Sequence, residues 1–279
     1  MKVLFIGNRS NVLQELLKKV DKLEILALKD SYLEAYCINN SINYLSFVFK
    51  DKDFVIKKVT DIDYDILVSN GCPFILPIVN RLMLNIHPTY LPYLKGKSPI
   101  NGVIYNSYKF FGATIHLIDS GVDTGKIIFR KKIELTDDID LGLVYYLSFE
   151  LEKEVFMKGW CILNELNFKA DLISNQDNEE GSVFNRSESK RVISFKTMSA
   201  NDIHRVIRAF GIYSQGALLK DNLIVNDKII DKIYESEVIV NSFLNNKFKN
   251  EIPGSVVLKY DNKFLIKCLN GLIKIKSFS

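Results

Sequence analysis

Four short apolar runs early in the chain most narrow what it can fold into: residues 3–7 (VLFIG), 24–28 (EILAL), 42–47 (INYLSF) and 65–71 (DILVSNG). Runs this short and this apolar suit strands buried on both faces. Between them, residues 12–20, 31–39 and 51–59 carry apolar side chains at helical spacing. Strands alternating with helices predict βαβ units, and so a mostly parallel sheet with helices on both faces.

The next apolar segment, LNIH at 84–87, ends at Pro88. A loop containing proline and glycine follows, then a helix expected at 100–106. Residues 112–119 (GATIHLID) and 126–135 (KIIFRKKIEL) read as strands joined by SGVDTG, a hairpin or a tight crossover. A long amphipathic helix is expected over 140–166. Residues 174–190 (SNQDNEEGSVFNRSESK) are polar throughout and mark a boundary or exposed excursion. The division expected is 1–190 as one domain and 191–279 as a linker helix and small β-rich domain. In the latter, Ser199 and Asp202 form a capping-box pattern ahead of Ile203, Val206, Ile207 and Phe210, and short strand-like segments follow from about residue 216.

Composition excludes several classes. With 279 residues, 47% hydrophobic and 25% charged, the chain is neither disordered nor fibrous, and no apolar run approaches a membrane span. Its start reaches Gly7 and polar residues too early for a signal peptide, so a cytoplasmic location is expected. Four scattered cysteines, Cys37, Cys72, Cys161 and Cys268, show no metal-ligand or disulfide spacing, and no metal is expected. Residues 7–12 (GNRSNV) lack the later glycines of a dinucleotide-binding turn, which disfavours a nicotinamide cofactor. Charge is uneven: residues 181–279 hold 16 basic and 9 acidic side chains, a surplus suited to a phosphate-bearing partner.

Only three histidines are present. His204 is expected to face solvent on a helix, and His116 to be a satisfied core histidine on a strand or one that supports the site from behind, and not itself catalytic. His87 differs, because an apolar strand delivers it with Asn85, two residues earlier and on the same side, to the expected carboxyl edge of the sheet. By physics alone the pair is as well explained by backbone capping at a strand end as by function.

The wider pattern is more specific. NIHPTYLPYLKG at 85–96 and GATIHLIDSGVDTG at 112–125 resemble, in order and separation, the folate-dependent formyltransferases. Later segments, IRAF at 207–210, PGSVV at 253–257 and CLNGLIKI at 268–275, resemble the small barrel-like C-terminal domain of members acting on methionyl-tRNA and amino sugars. The resemblance implies a Rossmann-like catalytic domain and N10-formyltetrahydrofolate as co-substrate. It makes Asn85, His87 and Asp123 the catalytic trio, the last with a spacing expected from βαβ-type connectivity. Asn85 would donate to the developing oxyanion, and Asp123 would hold His87 in its charged form or help remove the amine's proton. Phe74, Ile75 and Leu76, with Asp119, Ser120, Gly121 and Val122, would line the pterin pocket, gripping the ring through backbone groups.

Two positions depart from the family pattern: Lys95 stands where arginine is usual, and Thr89 replaces serine. Asn8, Arg9 and Lys95 are candidate acceptor contacts, with surface solvation the competing expectation for Asn8 and Arg9. Further resemblance in 69–77 (SNGCPFILP) and 137–156 implies a nucleotide-linked amino sugar as acceptor, of the dTDP-4-amino-4,6-dideoxyglucose kind used in O-antigen and lipopolysaccharide synthesis. The alternative acceptor is methionyl-tRNA, and only then is a nucleic-acid partner expected. A non-catalytic ligand-binding relative is the reading from another class. No membrane partner is expected, and a homodimer is left open.

Overall fold

The computed structural model describes residues 1–173, 180–225 and 228–279. The chain divides into two compact units, the first made of Met1–Ile100, Phe110–Glu134 and Tyr146–Phe184, the second of Asn101–Lys109, Leu135–Tyr145 and Asn185–Ser279. The expected polar boundary at 174–190 begins in residues 174–179, which lie outside the described residues, as do Asn226 and Asp227.

The first unit runs β1 (Lys2–Gly7), α1 (Asn11–Leu16), β2 (Lys22–Leu28), α2 (Tyr32–Asn39), β3 (Leu45–Phe47), α3 (Lys52–Asp61), β4 (Ile66–Asn70) and β5 (Leu82–His87). After α4 (Asn101–Tyr105), which belongs to the second unit, come β6 (Phe110–Leu117), β7 (Ile127–Glu134) and α5 (Leu141–Glu165), the last contributing from Tyr146 onward. Strand order is β3-β2-β1-β4-β5-β6-β7. The first five strands are mutually parallel, as the alternation predicts. This is a Rossmann-like α/β fold, and its strand order reverses between β1 and β4.

Two local expectations fail. Of the run at 42–47 only Leu45–Phe47 pairs, an edge strand of three residues. More consequentially, β6 runs antiparallel to β5 and β7 antiparallel to β6, so no βαβ crossover joins β5 to β6. The connection explains it: Pro88, Pro92 and Pro99 keep most of it out of helix, and α4 is only five residues long.

Paired residues share a sheet face, so the register sorts side chains. Leu4, Leu67 and Met83 lie on one face with Ile6, Ser69, Asn85 and His116. Leu4, Ile6, Leu67 and Met83 pack there against Val55 and Val59 of α3 and against Phe47, Tyr64 and Leu76. The apolar core thus gives way to polar side chains as β4 gives way to β5 and β6. On the other face Gly159 of α5 sits against Ile115 so closely that an added Cβ would lie 2.4 Å from it.

The second unit carries β8 (Val192–Ile193), α6 (Ala200–Phe210), β9 (Ala217–Val225), β10 (Lys228–Ile239), α7 (Ser242–Lys247), β11 (Val256–Tyr260), β12 (Lys263–Lys267) and β13 (Leu272–Phe278). They form a six-stranded sheet in the order β11-β12-β13-β10-β9-β8. Ser199 caps α6 by accepting the Asp202 N–H at 3.1 Å, and Ile203, Val206, Ile207 and Phe210 are buried beneath it. His204 does not face solvent freely: it is half-buried, with Nδ1 2.9 Å from Ser236 Oγ of β10. No helix among the described residues is long and apolar enough to cross a membrane.

Candidate active site

Strand β5 presents Asn85 and His87 on one side because Leu84 and Ile86, fully buried, take the other. His87 is buried, and its Nε2 lies 3.0 Å from the Leu94 carbonyl oxygen. A carbonyl only accepts, so Nε2 carries the proton and Nδ1 of the neutral ring is a bare acceptor. That Nδ1 lies 3.5 Å from Asp123 Oδ2. Burial holds the His87 pKa below its ordinary value, and the opposing pull of Asp123 does not overcome it.

Asp123 arrives from the β6–β7 connection. Because β6 is antiparallel, it ends at Leu117 beside Leu84, and the following residues must fold back to reach His87. The turn leaves Asp123 at a φ of 54°, in the left-handed region that aspartate tolerates better than most residues. Its Oδ2 accepts the Gly96 N–H at 2.9 Å, and its Oδ1 accepts from Asn85 Nδ2 at 3.3 Å. Burial opposes ionisation, but His87 when protonated, together with the Gly96 N–H, holds the carboxyl well below the usual carboxylate range.

Asn85 is oriented from behind by His116, a buried histidine of β6. His116 Nδ1 lies 2.7 Å from the Leu117 carbonyl oxygen and must donate to it, which leaves Nε2 to accept. Asn85 Nδ2 is 3.1 Å from that Nε2, so the amide nitrogen points into the site between His116 and Asp123. The resulting cluster holds one amide donor, one carboxylate and two imidazoles, of which His87 presents Nδ1 as an acceptor. Together they can polarise a carbonyl oxygen and take up a proton beside it.

The expected pterin-pocket residues divide. Phe74 is half-buried and packs on the core cluster, its ring 5.9 Å from that of Phe47. Leu76 belongs to that cluster, whereas Ile75 is 66% exposed. Asp119 closes an exposed turn, its Oδ1 accepting from Gly121 N–H and Thr124 Oγ1, with Ser120 exposed and Val122 49% exposed beside it.

Arg9 is no solvated surface residue. Its Nε and Nη2 grip Glu152 of α5 at 3.0 and 2.6 Å, its guanidinium lies 5.0 Å from the centre of the Phe149 ring, and Glu152 is fully buried. Only Nη1 turns toward Asn8, 3.3 Å from its Oδ1. Lys95 uses its backbone: its N–H donates to the Ser182 carbonyl and its own carbonyl accepts the Phe184 N–H.

Residues 53–159 match the formyl transferase family model, and residues 186–279 match the model of the formyl transferase C-terminal domain. The chain belongs to the formyltransferase family. Asn85, His87 and Asp123 all fall within the first match. The methionyl-tRNA formyltransferase of Clostridium beijerinckii is 25% identical to this formyltransferase over 84% of its chain and 72% of the relative. That of Clostridium novyi is 25% identical over 91% and 78%. Among solved structures, WlaRD, a sugar 3N-formyl transferase determined with dTDP and 5-N-formyl-THF, superimposes with a TM-score of 0.70 at 24% identity, covering 100% of this chain and 97% of that one. The N-formyltransferase of Helicobacter canadensis, determined with folinic acid and dTDP-3-aminofucose, gives 0.69 at 22% identity and covers 100% of both. At these identities the structural likeness establishes the fold.

Sequence reading of this formyltransferase missed three contributors to the site: the contact of His116 with Asn85, Gly96 as the amide that holds Asp123, and Glu152 as the anchor of Arg9. Glu152 did carry a signal, a carboxylate set among Leu151, Val155 and Phe156 on the buried side of a helix. The other two depend on a folded-back loop, which no local pattern announces.

Proposed function

We propose that this formyltransferase moves the formyl group of N10-formyltetrahydrofolate to the amine of a nucleotide-linked amino sugar, with Asn85, His87 and Asp123 as its catalytic residues. The observation that carries the reading is the convergence of these three side chains, with Asn85 Nδ2 3.3 Å and His87 Nδ1 3.5 Å from the two oxygens of one half-buried carboxylate.

The acceptor amine attacks the formyl carbon as a neutral nucleophile. The new C–N bond forms, the carbonyl π pair moves onto oxygen, and the nitrogen becomes cationic. Asn85 offers Nδ2–H to that oxyanion, exchanging its long contact with Asp123 for a shorter, charge-assisted one. In the resting site His87 Nδ1 and Asp123 Oδ2 are two acceptors facing each other, an arrangement that a donor N–H relieves. The amine's proton passes to Nδ1, and Asp123 stabilises the imidazolium so formed. Collapse of the intermediate breaks the bond to folate N10, which takes the proton from His87 and leaves tetrahydrofolate and the formamide.

The acceptor class we favour is dTDP-4-amino-4,6-dideoxyglucose, serving O-antigen and lipopolysaccharide synthesis. A dTDP-linked amino sugar is supported by full-length likeness to two proteins solved with dTDP or a dTDP-amino sugar; both are 3-amino cases, and the 4-amino choice rests on the resemblance at 69–77 and 137–156. In this reading residues 1–190 carry the transfer, 191–279 form the linker helix and small β-rich domain, Phe74–Leu76 and Asp119–Val122 receive the pterin through backbone groups, Asn8, Arg9 and Lys95 serve the acceptor, and the protein works in the cytoplasm. Methionyl-tRNA is the second reading, favoured by the curated relatives and the positive surplus after residue 180. The deciding experiment offers the protein N10-formyltetrahydrofolate with 3-amino and 4-amino dTDP sugars and charged initiator tRNA, then weighs each acceptor for added formyl mass. Formylation of the tRNA alone would overturn the sugar assignment.

A further inference from the structure

The loop after β5 contains a strained residue. Leu94 is buried and adopts a φ of 59°, a left-handed conformation that a bulky side chain rarely holds unless its surroundings impose it. Its peptide groups are held on both sides. The Leu94 carbonyl accepts from His87 Nε2 at 3.0 Å and from Thr89 Oγ1 at 3.2 Å. Its N–H donates to Ser182 Oγ at 2.9 Å, from a residue 88 positions later in the chain.

Ser182 belongs to a short strap laid along this loop. The Ser182 N–H donates to the Pro92 carbonyl at 3.2 Å, the Lys95 N–H to the Ser182 carbonyl at 2.8 Å, and the Phe184 N–H to the Lys95 carbonyl at 2.9 Å. Phe184 anchors the strap in the core, while Val183 next to it is 66% exposed. The fit is close, since a Cβ added to Gly181 would lie 2.6 Å from the Pro92 carbonyl oxygen. Immediately after Leu94 and Lys95 comes Gly96, whose N–H holds Asp123. Thus the strapped loop supplies both the carbonyl that sets the protonated nitrogen of His87 and the amide that seats its carboxylate partner.

We propose that Ser182 is a positioning residue for the transfer: by latching the strained Leu94 peptide it aims the Leu94 carbonyl at His87 Nε2 and keeps Nδ1 as the proton acceptor. This rests on the reading of His87 as catalytic. Without the latch, the Leu94 peptide relaxes out of the left-handed region, His87 loses its fixed acceptor, and the ring exchanges between its two neutral tautomers.

The test compares Ser182→Ala and Ser182→Thr in the full chain, with imidazole nitrogen NMR of His87 beside steady-state kinetics. Wild type is expected to show the Nε2–H tautomer. Ser182→Ala should mix in the Nδ1–H form and lower kcat about tenfold, leaving KM for both substrates within about twofold. Ser182→Thr, which keeps the hydroxyl, should restore tautomer and rate. Unchanged tautomer and rate in Ser182→Ala would overturn the proposal, as would a loss of rate with the His87 tautomer intact. His87→Ala separates the two layers: if it retains activity the catalytic reading fails, whereas the tautomer readout in Ser182→Ala stands independently of turnover.

Discussion

Asn85 Nδ2 lies 3.1 Å from His116 Nε2, and this contact decides which way the Asn85 amide faces. Because the Leu117 carbonyl demands the proton of His116 Nδ1, Nε2 is an acceptor and calls for the amide nitrogen, not the oxygen. Replacing Asn85 with Ala removes a preorganised donor, and kcat is expected to fall roughly 10²–10³-fold. His116→Ala should give a smaller loss, because the donor remains and only its aim is lost. Kinetics of the two single variants and the double variant check this: if His116 acts through Asn85, adding His116→Ala to Asn85→Ala costs little more.

Acid should weaken the fold in two stages. The His87 pKa is lowered in the folded state, so below its ordinary 6.5 the unfolded chain binds a proton that the folded one resists. Stability associated with this site is therefore present above that value and lost as pH falls through it. Asp123 is also lowered from its ordinary 3.8, and its contribution is lost only in a more acidic window. Urea midpoints measured from pH 7.5 downward should fall first below about 6.5. His87→Gln should shrink the first stage to the share that His204 supplies, since burial lowers that histidine too, and should weaken the second, because His87 helps hold Asp123 low.

The Arg9–Glu152 pair, whose carboxylate is fully buried, is expected to be unforgiving of single changes. Glu152→Leu leaves a guanidinium that is only 14% exposed without its carboxylate and should cost about 3–5 kcal/mol in chemical denaturation. Arg9→Met with Glu152→Leu should recover much of this, since no buried charge is then orphaned. If Arg9 serves only through this pair, the double variant keeps a normal KM for the acceptor. A KM that stays high for the acceptor alone would mark Nη1 as a direct contact.

Gly71 closes the space between the ends of β1 and β4. Its φ is 79°, and an added Cβ would lie 2.0 Å from Asn8 Oδ1 and 2.5 Å from Arg9 Nη1. Gly71→Ala should therefore destabilise by more than about 1 kcal/mol and displace Asn8. Thermal unfolding measures the first effect, and the ratio of KM values for acceptor and folate the second, which should rise if Asn8 serves the acceptor.

Legibility of this protein followed the range of the interactions involved. The helix cap at Ser199 was readable from its neighbour Asp202 three residues on, and the parallel strands from runs of four to seven residues. Asn85 and His87 were readable as a pair because a strand puts alternate residues on one side. The antiparallel return of β6 was not, because a segment of that length accommodates either a crossover or a loop, and only packing selects between them. Nor was the burial of His87, whose ring lies between the Leu94 carbonyl and Asp123 although the sequence shows only a strand-end histidine.

The sequence by itself determined the alternating α/β order and the segments that carry Asn85, His87 and Asp123, since each follows from local periodicity or a contiguous motif. Tertiary structure alone decided that Asp123 folds back against His87, that His116 turns the Asn85 amide, and that Ser182 latches Leu94. These contacts join residues 31 to 88 positions apart. Their geometry comes from strand direction and burial, which exist only once the whole sheet has formed.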